Sequence, residues 1–119
     1  MSNNYKRVEA MLYSYKKTKA EIKILMRELE ILENEVIEKA QDTQELENEI
    51  RLKEIEIKNI DDALSILNER EIYIIKEYYI NNRLLKVIAD EIHVNENYAS
   101  ELKHKIINKL TSMINCRKN

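Results

Sequence analysis

The sequence predicts an all-α protein: a long N-terminal αα-hairpin, coiled-coil-like in its pattern, followed by a compact three-helix domain. Three observations carry this. None of the 119 residues is Gly or Pro, the residues that tight turns between strands usually require. Apolar residues recur every seven positions from Val8 onward, as on a long helix that packs along a partner. Past Asn68 the apolar pattern shortens into brief helical segments separated by Asn-containing breaks. The 35% charged and 6% aromatic content, every aromatic a Tyr, suits exposed helices better than a large core.

Residues 4–40 read as one helix, roughly 55 Å long. Val8, Tyr15, Ile22, Leu29 and Val36 form one seam; Met11 or Leu12, Leu25, Leu32 and Ala40 fill the other. Gln41-Asp42-Thr43 interrupts the stripe, and Asp42 with Glu45 has the spacing of a capping box. A second helix over 44–66 carries Leu46, Ile50, Ile57, Ile60, Leu64 and Leu67, with Lys53 in a seam position, where it is expected to snorkel outward or to mark a looser layer. Pairing the two helices antiparallel about residue 42 sets residue i opposite roughly 84 − i, so Ile22 faces the region of Asp62. The first helix is then the longer, and its basic start (Lys6, Arg7, Lys16, Lys17, Lys19) lies beside the C-terminal domain or projects past it.

Ile24, Ile31, Ile37, Leu52, Ile55 and Ile66 fall off both seams. A two-helix hairpin has one interface, so these residues predict a second apolar strip, and such strips usually mark an interface. A homodimer through the N-terminal arm is the expectation; the competing one folds the strip onto the C-terminal domain. The domain boundary is placed between an arm of residues 1–66 and a domain of residues 67–119.

Asn68 is placed to cap a third helix over about 69–80, with Glu69 and Glu71 favourably in its first turn. Ile72, Ile75 and Tyr79 face inward, and Asn81-Asn82-Arg83 turns the chain. The stretch from Leu85 to Leu110 follows, L-K-V-I-A-D-E-I-H-V-N-E-N-Y-A-S-E-L-K-H-K-I-I-N-K-L. Ile88, Ala89 and Ile92 mark one short helix, His93-Val94-Asn95 a break, and Ala99, Leu102, Ile106 and Leu110 a second helix. Two short helices joined by a tight turn make a helix-turn-helix unit. Ala89 is small where the second helix crosses, Val94 plugs the turn from inside, and Asn95 suits an N-cap. The tail after Met113 is polar and expected to fray.

The order L-x-x-R-E at 67–71, Ile74-Ile75, Tyr78-Tyr79, then I-A-x-x-I-x-V from Ile88, resembles the fourth region of sigma-70-type RNA polymerase factors. It also resembles the short sigma-like regulators of phages and clostridia that carry a helical N-terminal half. The resemblance spans roughly residues 61–111. It implies sequence-specific binding of double-stranded promoter or operator DNA, transcription regulation, and RNA polymerase as a second partner. His93 departs from the pattern, which has Gly at a backbone position that often needs φ > 0. Asn95 stands where Ser or Thr usually caps. Nothing in residues 1–60 resembles a promoter-melting region, so a regulator is expected rather than a complete sigma factor.

The net charge of −2 hides a division. Residues 1–20 carry five basic side chains and one acidic; residues 21–63 carry six and fourteen; residues 83–119 carry seven and four. Local charge governs attraction to nucleic acid, since screening removes the rest beyond about 10 Å. On the recognition helix, Glu96, Asn97, Tyr98, Ser100, Glu101 and His104 are expected to face bases, Asn toward adenine and Glu toward cytosine N4. Arg83, Lys86, Lys103, Lys105 and Lys109 are expected at phosphates, which position a protein without reading sequence.

No metal or cofactor is expected. His93, His104 and Cys116 do not have zinc-site spacing, and no nucleophile–base set or Gly-rich phosphate loop occurs, so the chain does not read as an enzyme. One cysteine permits no internal disulfide, no apolar run approaches the roughly 18 residues of a membrane span, and a cytoplasmic protein without membrane contact is expected. A second class stays open: a coiled-coil adaptor whose helix-turn-helix is only a compact cap, without DNA binding.

Overall fold

The computed structural model describes residues 3–35 and 40–115. All regular structure among them is helical: α1 (Asn3–Tyr13), α2 (Tyr15–Glu33), α3 (Ala40–Leu64), α4 (Glu69–Ile75), a π-helical turn (Lys76–Ile80), α5 (Leu85–Glu91) and α6 (Glu96–Asn115). No described helix is long and apolar enough to cross a membrane.

The helix expected over 4–40 differs in two places. It is interrupted at Ser14, whose hydroxyl donates to the Met11 carbonyl at 3.2 Å, a back-bond that competes with the helix ladder. It also ends earlier, at Glu33. The break expected at Gln41-Asp42-Thr43 lies inside α3, which begins at Ala40. The polar residues read as a turn form the first helical turn instead, where Asp42 meets the positive end of the helix dipole. Val36 and Ile37 lie outside the described residues, as does Cys116. α6 runs through Met113 to Asn115.

The chain forms two compact units. One is Tyr15–Asn59; the other joins the described residues up to Ser14 with those from Ile60 onward. The division expected at 66/67 is therefore displaced, because α1 belongs with the C-terminal helices. Heptad spacing runs unbroken through Ser14 and cannot reveal that change of partner.

Within Tyr15–Asn59, Thr18, Ile50 and Ile57 are buried, while Ile22, Leu25, Leu29, Leu32 and Leu46 are half-buried. Lys53 reaches Glu21 at 3.4 Å. The expected register sets Glu21 against Ala63, ten residues beyond the Lys53 that it meets. The off-seam residues Ile24, Ile31, Leu52 and Ile55 are 50, 62, 68 and 47% exposed.

The second unit closes around Tyr5, Val8 and Leu12 of α1, Ile60, Ala63 and Leu64 at the end of α3, then Leu67, Ile74, Ile75, Tyr79, Ile88, Ala89, Ala99, Ile106, Ile107 and Leu110, all buried. Asn68 caps α4 as expected, and reciprocally: its side chain accepts from the Glu71 N–H at 2.9 Å while Glu71 accepts from the Asn68 N–H at 3.0 Å. The inward set of this helix is Ile74, Ile75 and Tyr79, with Ile72 only half-buried. The π turn, closed by Asn81 N–H to the Lys76 carbonyl at 2.9 Å, widens the helix and rotates the positions after it. Asn82 takes φ 55 in the following turn, a conformation Asn tolerates better than most residues.

Candidate nucleic-acid interface

The geometry of this region starts at the end of α5. Val94 N–H bonds the Ala89 carbonyl at 3.0 Å and His93 N–H bonds the Asp90 carbonyl at 3.2 Å. These two bonds form a Schellman closure, and His93 occupies its left-handed position at φ 61. The position where the resemblance has Gly thus keeps its left-handed backbone with a Cβ present, at a steric cost of about 1–2 kcal/mol. Val94 is half-buried. Asn95 then accepts from the Tyr98 N–H at 2.8 Å and starts α6. Ala89 and Ala99, 1% and 0% exposed, are the small pair that lets α5 and α6 approach.

The first turns of α6 leave Glu96, Asn97, Tyr98, Ser100 and Glu101 exposed. Ser100, Glu101, His104, Lys105 and Asn108 line one open, shallow surface. Tyr98 is also approached by the Arg70 guanidinium, 5.9 Å from the ring centroid. His104 is exposed, but its Nδ1 lies 2.9 Å from the Tyr5 hydroxyl and its ring sits 4.8 Å from the Tyr5 ring.

The five expected phosphate contacts separate into two groups. Lys86 and Lys105 are exposed, with no ion pair among the described residues. The other three are engaged. Lys103 stacks over Tyr78 at 4.5 Å, and Lys109 pairs with Glu71 at 3.5 Å. Arg83 bonds Glu77 at 2.8 Å and Glu91 through both guanidinium nitrogens, and Tyr73 also donates to Glu91. Arg83 holds the Glu77 and Glu91 carboxyls below the usual range, helped by Asn81 at Glu77 and by Tyr73 at Glu91. Its guanidinium therefore ties the start of α5 to its end and to the π turn.

Tyr5 is the residue the sequence did not single out. Its ring is 4% exposed, on the same face of α1 as Val8 and Leu12. The spacing was visible; the partner, 99 positions away, was not. Beside it, Tyr79 donates to Glu9 at 2.6 Å, and burial pushes the Tyr79 phenol far above its ordinary pKa, with Glu9 adding to the effect. Tyr13 and Tyr78 pack edge-on against Tyr79, with centroids 4.8 and 4.9 Å away. No group of three or more metal-ligating side chains occurs among the described residues.

Comparison with known protein families, curated proteins and solved structures finds no match to this chain.

Proposed function

We propose that this protein is a sequence-specific DNA-binding transcriptional regulator of the sigma-70 region 4 type, with α6 as its recognition helix. One observation carries the reading. An Asn95-capped helix follows a Schellman turn whose left-handed residue stands where the resembling family has Gly, and its first turns leave Glu96, Asn97, Tyr98, Ser100 and Glu101 exposed. A helix presented in this way by a preceding short helix can enter a major groove with its N-terminal side chains at base edges. Lys86 and Lys105 supply phosphate contacts, Asn97 reads a base, and Arg83 holds α5 in shape.

The protein acts at promoters, with RNA polymerase as second partner. Its arm is an antiparallel hairpin of α2 against α3, dimerising through the exposed strip of Ile24, Ile31, Leu52 and Ile55. The Lys53–Glu21 pair supports a register in which paired positions sum to about 74, which also sets Leu25 near Ile50 and Leu29 near Leu46. The same exposed strip supports the coiled-coil adaptor as a second reading.

Titration of the full chain into a labelled random-sequence duplex at rising salt decides between them. A DNA-binding regulator shows log affinity falling linearly with log salt as phosphate contacts release counterions. Absence of binding at low salt leaves the adaptor.

A further inference from the structure

The first helix of the chain packs against the recognition helix. α1 and α6 run side by side in one unit, clipped where the Tyr5 hydroxyl meets His104 Nδ1 at 2.9 Å. Farther along both helices, Val8, Met11 and Leu12 share an apolar pocket with Leu110 and Ile114. The two helices therefore run in the same direction, and the start of α1 lies beside the middle of α6, at His104. His104 lines the open α6 surface together with Ser100, Glu101, Lys105 and Asn108.

The charges of α1 are divided between a paired acid and free cations. Its one acid, Glu9, accepts from buried Tyr79. Its two cations, Lys6 and Arg7, directly follow the clip, are exposed, and have no ion pair among the described residues. By contrast Arg83 and Lys109 are held in carboxylate pairs, and Lys103 lies on an aromatic ring. Unpaired Lys and Arg beside a helix with a polar, base-sized face are what a duplex backbone takes as counterions. Among the residues lining the α6 surface, Glu101 is the one acid. It stands one turn after Asn97 on the same face of α6, so it belongs with base contacts and not with the phosphates.

We propose that α1 is a second DNA-contacting element: Tyr5 positions His104 on the recognition helix, and Lys6 and Arg7 take phosphates flanking the groove that α6 occupies. This rests on the reading that the unit containing α6 binds DNA, and it adds residues about a hundred positions upstream to that interface.

The test uses the full chain and a fluorescein-labelled random-sequence duplex, with anisotropy read at several salt concentrations. Lys6→Gln/Arg7→Gln is the decisive variant, since both side chains are exposed and the change keeps the helix. Two lost phosphate contacts lower the log–log salt slope by about two and weaken binding to every sequence alike. Lys23→Gln/Arg27→Gln, the same charge change on α2, leaves the slope in place. If the Lys6/Arg7 variant matches the unaltered protein while Lys105→Gln lowers the slope by about one, α1 does not touch DNA and α6 still does. If the unaltered protein shows no salt-dependent binding, the DNA-binding reading itself is overturned. An equal loss from the α2 variant would mean that overall charge is acting, and would also overturn the proposal.

Discussion

His93 carries strain at a position built for Gly. At φ 61 its Cβ crowds the following carbonyl, and the two Schellman bonds around it hold that geometry in place. His93→Gly should therefore stabilise the protein by about 0.5–1 kcal/mol, the steric relief being partly offset by the greater freedom of Gly in the unfolded chain. The expected readout is a melting temperature several degrees higher; an unchanged or lower one means the turn is not strained. Ala89 sets the opposite limit. It is 1% exposed where α5 meets α6, so Ala89→Glu buries an unpaired charge at a cost of several kcal/mol. Loss of the cooperative thermal transition is expected, and an unaltered melt would refute the crossing.

At the scale of elements, two polar networks hold the short helices that have too few turns to be stable alone. Arg83 lowers the pKa of Glu77 and of Glu91. A carboxylate whose folded pKa is depressed contributes stability above its unfolded value, about 4.3, and loses it as pH falls below that. Arg83→Gln should thus flatten the decline of melting temperature between about pH 5 and 3. Parallel declines for variant and unaltered protein would show that the network adds nothing. The tyrosines act at the other end of the scale. Burial raises the phenol pKa of Tyr5 and of Tyr79 above the ordinary value, and pushes that of Tyr13 up to about 12. The neutral phenols stabilise the fold fully below the unfolded Tyr value of about 10, and that contribution is lost as pH rises through the raised values. Tyr79→Phe should soften this alkaline loss. At neutral pH it should cost about 1.5–3 kcal/mol, because Glu9 loses its donor. A variant as stable as the parent at pH 7 would remove Glu9–Tyr79 as the tie between α1 and the π turn.

For the whole molecule, the exposed strip carries the proposed dimer. Leu52 at 68% and Ile31 at 62% exposed are the most open large apolar residues among those described in their unit. Sedimentation equilibrium of the full chain should report a dimer at tens of micromolar, and Ile31→Lys/Leu52→Lys should shift it to monomer with helicity retained. A monomeric parent would sink the dimer. If α6 reads DNA as proposed, a dimer supplies two copies of it, and selected operators should be palindromic.

Local chemistry made much of this legible in the sequence. The absence of Gly and Pro implied helices. Asn68 and Asn95 announced two helix starts, because a cap needs only residues within one turn. The His93 break and the small Ala89 were likewise readable, and the off-seam Ile24, Ile31, Ile55 and Ile66 are exposed as their spacing required. Three features needed the tertiary structure. A heptad stripe shows that a helix face is covered but not by which partner, so it missed that α1 joins the C-terminal helices. Polar residues at 41–43 look alike in a turn and in the first turn of a helix, so the register of the arm waited on Lys53 meeting Glu21. Exposed cations look alike on a helix wheel, and only the folded positions of Glu77, Glu91, Glu71 and Tyr78 separate those already paired from Lys86 and Lys105. Caps and turns draw their partners from neighbouring residues, whereas ion pairs and helix packing draw them from residues that the chain brings together only on folding.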